Sequence, residues 1–193
     1  MQPLLNAHHV ICRRQGRALF ESASLYLRPG DAVALKGANG SGKSSLLRAL
    51  AGLLPHEGRI EKSAAHSYIG HRDAVIADLT VAEHLRFWQG LAQNRRVIFF
   101  ADILEKAGLA GFENRRASTL SAGQRQRLAL CRLLIEDAKI WLLDEPASAL
   151  DEAGHEFFNA LLANHLAKSG AAVIASHAEE VPGAENYELK AAA

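Results

Sequence analysis

Residues 32–44 read AVALKGANGSGKS, and this stretch decides the fold. It begins with a short apolar run, Ala32–Lys36, that stops at glycine as a buried strand does. Leucines then occupy positions 46, 47, 50, 53 and 54, a spacing typical of a helix with one apolar face. The order is strand, glycine-rich loop, helix.

The loop, Gly37–Ser44, matches the pattern GxxxxGK[ST] in full. Its glycines let backbone N–H groups turn inward around phosphate oxygens, and the helix after it directs the positive end of its dipole there. Lys43 would reach the β- and γ-phosphates, and the Ser44 hydroxyl would ligate Mg²⁺. A turn that merely connects strand to helix is the alternative, but the strand and helix context favours a nucleotide site. The predicted nucleotide-binding residues here are Gly37, Ala38, Asn39, Gly40, Ser41, Gly42, Lys43, Ser44 and Ser45.

A second motif, residues 140–145 (IWLLDE), is an apolar strand that ends in two carboxylates. Ligands of parallel α/β sheets bind at the C-terminal edge of the strands. We expect Asp144 to hold Mg²⁺ through water and Glu145 to polarise the water that attacks the γ-phosphate. A solvated turn after a strand would be the favoured interpretation of these residues alone, but the phosphate loop makes the catalytic one preferable.

Residues 120–124 (LSAGQ) form a third motif. Ser121 and Gln124 have the spacing of a capping box at the start of a helix. A helix N-terminus with a serine hydroxyl, and with Gly123 allowing close approach, is also a possible anion site.

The remaining pattern predicts one α/β domain over residues 1–193 with a mainly parallel sheet covered on both faces. Together with the phosphate loop, this order of elements resembles the P-loop NTPases, which implies a RecA-like parallel core. Leu4–Val10 and Leu19–Leu27 predict an N-terminal antiparallel β subdomain closed by the Pro29-Gly30 turn. We assign residues 1–71 and 131–193 to the core, and 72–130 to an inserted α-helical subdomain.

Composition excludes several other classes of protein. The chain has 193 residues, 49% of them hydrophobic, and a net charge of +1, which argues against a dedicated nucleic-acid binder. We expect neither a signal peptide nor a membrane span. Cys12 and Cys131 lack metal-ligand spacing, so we expect a reduced, soluble, cytosolic protein with buried thiols.

The three motifs, in the chain order 37–44, 120–124 and 140–145 and at this spacing, resemble the ABC ATPase family over essentially the whole chain. The resemblance implies a homodimer that sandwiches two ATP molecules, with Ser121, Gly123 and Gln124 of one subunit acting on ATP held by the other. It also implies that Ser148–Asp151 is the D-loop of the dimer interface. His177 looks like the switch histidine that contacts the γ-phosphate, so the predicted catalytic residues are Lys43, Glu145 and His177.

The sequence departs from this family at two places. His71 stands where the family has a glutamine before the helical insert. The aromatic residue that stacks on adenine is also missing, and Arg13 or Arg14 occupies that region. A guanidinium plane can stack on a base, while a solvated surface arginine is the alternative.

Residues 68–71 (YIGH), 79–87 (LTVAEHLRF) and 120–134 (LSAGQRQRLALCRLL) are similar to the haem exporter protein A family (CcmA). This resemblance implies a peripheral ATPase at the cytoplasmic face of the inner membrane, paired with a permease subunit (CcmB-like) and other cytochrome c maturation components. Its ATP hydrolysis would drive release of a haem-loaded chaperone. The alternatives are the ATPase of a lipid, lipoprotein or peptide exporter, and a soluble ABC switch protein. A P-loop kinase would have no use for LSAGQ.

Overall fold

A computed structural model describes residues 2–70, 75–92, 98–177 and 180–192. The chain divides into two compact units. The first comprises Met1–His71, Ala138–Glu145 and Leu162–Ala193. The second comprises Arg72–Asp137 and Pro146–Leu161.

Among the residues that the structure describes, the first unit contains the strands and one complete helix. In chain order these are β1 (Leu5–Ile11), β2 (Arg13–Arg14), β3 (Arg17–Ala18), β4 (Ala23–Leu27), β5 (Ala32–Lys36), α1 (Lys43–Leu50), β6 (Glu57–Lys62), β7 (His66–Ile69), β8 (Ile140–Asp144), β9 (Ala171–Ala175) and β10 (Glu185–Glu188). A further helix, Glu152–Ala167, begins in the second unit and ends in the first.

Five strands form a parallel sheet in the order β10-β5-β9-β8-β7. All residues of β8 and β9 are buried, which is why both are continuous apolar runs in the sequence. The predicted P-loop NTPase fold is confirmed. Because β5, β9 and β8 are parallel neighbours, the segments that follow them meet at one edge of the sheet. These segments carry the phosphate loop, His177 and Glu145.

A second sheet, in the order β4-β1-β6, is antiparallel. It confirms the predicted N-terminal β subdomain, and its buried leucines share one core with Leu46, Leu47 and Leu50 of α1. The predicted position of the turn was wrong. The turn at Pro29-Gly30 follows β4, and the hairpin β2–β3 lies between β1 and β4.

The second unit contains helices: α2 (Val81–Leu91), α3 (Phe100–Lys106), a 3₁₀ turn (Ala117–Thr119), α4 (Ala122–Glu136) and the start of α5 (Glu152–Ala167). The predicted capping box at Ser121 and Gln124 is present before α4, and a second one, at Thr80 and Glu83, precedes α2. Arg132 of α4 stacks on Trp88 of α2, with its guanidinium carbon 3.8 Å from the ring centroid.

The compact units differ from the domain boundaries that the sequence predicts. Helix α4 continues to Glu136, so the second unit extends beyond residue 130, and it also takes in Pro146–Leu161. The functional division at residues 72 and 130 stays a prediction. Among the described residues, no helix is both long and apolar enough to cross a membrane.

Candidate nucleotide site

The backbone of the phosphate loop requires glycine at two positions. Gly37 has φ of +137°, and a Cβ there would lie 2.7 Å from the carbonyl oxygen of Leu189. Gly42 has φ of +96°, and a Cβ there would lie 2.5 Å from Phe20 Cδ1. Both the dihedral angle and the space exclude other side chains, so the loop keeps its N–H groups along a closely packed turn.

Lys43 reaches back across this loop. Its side chain is buried, and Nζ donates hydrogen bonds to the carbonyl oxygens of Gly37 at 2.7 Å and of Ala38 at 3.1 Å. The ammonium group is therefore held over the centre of the loop. Phosphate oxygens bound in the loop would compete with these two carbonyls for the same donor.

Ser44 and Asp144 meet where α1 begins and β8 ends. The Ser44 hydroxyl donates a hydrogen bond to Asp144 Oδ1 at 3.0 Å. The second carboxylate oxygen, Oδ2, is buried and accepts no hydrogen bond from the residues that the structure describes. A buried carboxylate oxygen without a donor fits a cation. Mg²⁺ usually takes one or two carboxylates together with phosphate oxygens and water, and the described residues contain no larger cluster of metal-ligating side chains.

Glu145 and His177 form a pair at the next position along the sheet edge. His177 Nε2 lies 3.0 Å from Glu145 Oε1. Glu145 has φ of +53°, unusual for a non-glycine residue, and its N–H donates to the carbonyl oxygen of Ala175 at 3.0 Å. The main chain thus turns sharply after β8, and the Glu145 carboxylate lies against His177 in the segment that follows β9.

Several of these groups line one cavity of about 240 Å³. The loop residues 39–45 form part of its lining, together with Glu145 and His177. Arg14 and Leu19, from the hairpin and the residue after it, complete the lining. Arg14 was one of two alternatives in the sequence, whereas Leu19 was not predicted, because only the folded hairpin brings it beside the phosphate loop.

The predicted residues of the LSAGQ motif (the signature motif), Ser121, Gly123 and Gln124, lie in the second unit, at the start of α4. Ser121 Oγ accepts a hydrogen bond from Gln124 N at 3.2 Å, and Gln124 Oε1 accepts one from Ser121 N at 2.9 Å. A Cβ on Gly123 would lie 3.0 Å from the carbonyl oxygen of Ala149, so Gly123 allows close packing of the predicted D-loop. In that loop, Asp151 Oδ1 accepts from Gly154 N at 2.9 Å.

The roles assigned to these residues stay predictions. The structure brings Lys43, Ser44, Asp144, Glu145 and His177 together at one sheet edge. His71, the predicted substitute for the family's glutamine, lies outside the described residues.

Comparisons with known proteins agree with these features. A family model described as ABC transporter matches residues 20–148. The chain is 43% identical over 175 residues to the cytochrome c biogenesis ATP-binding export protein CcmA of Hyphomonas neptunium, a match that covers 90% of this chain and 89% of that protein. The protein of the same name from Haemophilus influenzae is 38% identical over 206 residues, covering 100% of this chain and 97% of that protein.

Solved structures agree on the fold. The ATP-binding subunit of an ABC transporter superposes with a TM-score of 0.83 at 20% identity, covering 97% of this chain and 86% of that one. The chain therefore belongs to the ABC transporter family, as an ATPase of the CcmA type.

Proposed function

We propose that this chain is the ATP-hydrolysing subunit of a membrane export complex that serves cytochrome c maturation. One observation carries the ATPase part: three parallel neighbouring strands deliver Lys43, Glu145 and His177 to one cavity. The export and cytochrome c parts are supported by the names of relatives that are 43% and 38% identical over almost the whole chain.

In this proposal the residues of the first unit prepare ATP for attack by water. Lys43 and the loop N–H groups neutralise charge on the phosphates, and Glu145 orients the attacking water. His177 holds one oxygen of the Glu145 carboxylate in place and contacts the γ-phosphate. Positioning and charge stabilisation supply most of the rate enhancement in reactions of this kind.

Ser44 and Asp144 would hold Mg²⁺, which supports this step by neutralising charge on the phosphate oxygens. The fit rests on the buried Asp144 Oδ2, which accepts no hydrogen bond from the described residues, and on the Ser44 hydroxyl beside it. Binding of the ion would require the Ser44 hydroxyl to turn its proton away from Asp144, because a hydroxyl coordinates through its oxygen.

The active site would be complete only in a homodimer. Ser121, Gly123 and Gln124 of one subunit would close on the γ-phosphate held by the other, with Ser148–Asp151 at the interface. The backbone N–H groups of Ala122 and Gly123 support this arrangement. The capping box satisfies the N–H of Gln124 and leaves those of the first two helical residues for an anion.

Dimer closure would act on an integral membrane permease subunit (CcmB-like), with other cytochrome c maturation components nearby. The chain would sit peripherally at the cytoplasmic face of the inner membrane, and ATP hydrolysis would release a haem-loaded chaperone. Affinity purification of the chain from membranes is expected to recover one integral membrane partner. Recovery of a lipid or peptide exporter subunit instead would contradict the haem assignment.

The biochemical test is Glu145→Gln, which keeps the shape of the side chain and removes its charge. We expect MgATP to bind and hydrolysis to fall by at least about 100-fold. In cells that lack this chain, Glu145→Gln would also fail to restore covalent attachment of haem to c-type cytochromes, measured by haem staining. Normal hydrolysis by the variant would show that Glu145 does not activate water. Loss of hydrolysis with normal cytochrome maturation would overturn the cellular role.

A further inference from the structure

The hairpin β2–β3 carries two neighbouring arginines, Arg13 and Arg14, and Arg14 lines the cavity at the phosphate loop. Its turn, Gln15-Gly16, has φ of +51° and +80°, as a two-residue type I′ turn requires. The hairpin is anchored at its base, where Leu19 N donates to the carbonyl oxygen of Cys12 at 2.9 Å. Cys12 Sγ in turn lies 3.8 Å from the carbonyl oxygen of Ser45. The hairpin is thus fixed to the first turn of α1.

The two arginines have different surroundings. Arg13 forms an ion pair with Glu57, in which Nε lies 2.6 Å from Glu57 Oε1. A terminal nitrogen of Arg13 also donates a hydrogen bond to the Gly16 carbonyl oxygen at 3.3 Å. Glu57 raises the pKa of Arg13, and Arg13 lowers the pKa of Glu57. The side chain of Arg14 makes no hydrogen bond or ion pair with the part of the chain that the structure describes. It lines the cavity instead.

The cavity offers two kinds of chemistry. The loop presents its backbone N–H groups, the ammonium group of Lys43 and the hydroxyl of Ser44, and all of these suit phosphate oxygens. Among the described residues of the lining, Leu19 is the one large apolar side chain, and Arg14 adds a flat cation. A nucleotide has the same two parts, a charged phosphate chain and a flat base. The phosphate part is matched by the loop, which leaves Arg14 and Leu19 to match the base.

We propose that Arg14 stacks its guanidinium plane on the base of the bound nucleotide, while Leu19 packs against the same nucleoside. This inference rests on the proposed binding of ATP at the loop 37–44. A guanidinium is weakly hydrated and stacks on aromatic faces, so it can replace an aromatic side chain. Stacking needs only a flat base, so Arg14 would strengthen binding of purine nucleotides without selecting adenine over guanine.

The test compares Arg14→Ala with Arg13→Ala, which removes the same charge from the adjacent residue. Two probes are used with Mg²⁺: ATP and tripolyphosphate, which has no base. We expect Arg14→Ala to raise the Kd for ATP by about 5- to 50-fold, the range of one stacked base, and to change the Kd for tripolyphosphate by less than about twofold. Arg13→Ala is expected to leave both constants within about twofold. Arg14→Tyr would restore ATP affinity, and Arg14→Lys would not.

Two results would overturn the proposal. Equal weakening of ATP and tripolyphosphate, reversed by Arg14→Lys, would make Arg14 a counterion of the phosphates. Unchanged ATP affinity in Arg14→Ala would make it a solvated surface residue. Lys43→Ala tests the phosphate loop separately, because it is expected to weaken binding of both ATP and tripolyphosphate. If Lys43→Ala changed neither constant, the proposed ATP site would be wrong whatever Arg14 does.

Discussion

Helices α1 and α4, both predicted to face nucleotide, begin in different ways. Helix α1 begins after Gly42, which has the left-handed conformation, and no side chain of the described residues caps its first N–H groups. Helix α4 begins after Ser121, and a full capping box with Gln124 is formed. The start of α1 leaves all of its first amides without a capping side chain, whereas the capping box of α4 satisfies the N–H of Gln124 and leaves those of Ala122 and Gly123. Bound phosphate would therefore satisfy more donors at the start of α1 than at the start of α4.

Lys43→Ala tests the first region and is expected to have the largest effect. Loss of the ammonium group removes the main positive charge from the phosphate loop. ATPase activity, measured by phosphate release, should therefore fall by at least about 100-fold. Lys106→Ala, at an exposed position in α3, is the control for loss of one lysine. Activity within about threefold of wild type in Lys43→Ala would refute the role of this side chain.

Asp144→Asn is expected to have the next largest effect, and it should appear only with metal. The amide keeps the side-chain shape but offers a weaker ligand for Mg²⁺, so MgATP affinity should fall by about 10-fold or more. Binding of ATP in the presence of a chelator should change little. Calorimetric titrations with and without Mg²⁺ measure the difference. Equal losses under both conditions would indicate a folding defect instead of a metal site.

Ser121→Ala tests the second region, and Thr80→Ala is its matched control because Thr80 caps α2 with the same capping box. Each variant should lose about 1 kcal/mol of stability, or about 2–4 °C in Tm. If Ser121 also contacts the γ-phosphate across the dimer, only Ser121→Ala should lose activity, by about 10-fold. Equal activities in the two variants would reduce Ser121 to a helix cap.

The smallest expected effect is on the rate at which thiol reagents label the two cysteines. Each cysteine lies in or beside one of the two compared helices. Cys12 is buried near Ser45 of α1, and Cys131 is buried within α4. Burial raises the pKa of both thiols, that of Cys131 to about 12, so at neutral pH both are protonated and weakly nucleophilic. We expect slow labelling by thiol reagents, and MgATP should slow labelling of Cys12 by a few-fold more than that of Cys131. Rapid labelling of Cys131 in the native protein would contradict its buried environment.

The sequence predicted the elements whose local pattern is strong. The strand, loop and helix of residues 32–50 follow from one motif, and both capping boxes follow from residue spacing. Strand β10 was missed because Glu185–Glu188 reads ENYE, a largely exposed edge strand without an apolar run. The hairpin β2–β3 was missed because its strands are two residues long and give no periodic signal.

Contacts within the site needed the tertiary structure. Glu145 and His177 were each predicted, but their pairing depends on the positive φ of Glu145 and on the adjacency of β8 and β9, neither of which spacing reveals. The same holds for the two arginines. Only the hairpin geometry separates Arg13, which pairs with Glu57, from Arg14, which lines the cavity.

The central claim, that each active site combines the loop of one subunit with the signature helix of another, is tested most directly by mixing two inactive variants. Lys43→Ala disables the loop, and Ser121→Glu places a carboxylate against the γ-phosphate. A mixed dimer contains one site with both halves intact. The account predicts that the mixture hydrolyses ATP faster than the sum of the separate variants. A mixture no more active than that sum would contradict the composite site.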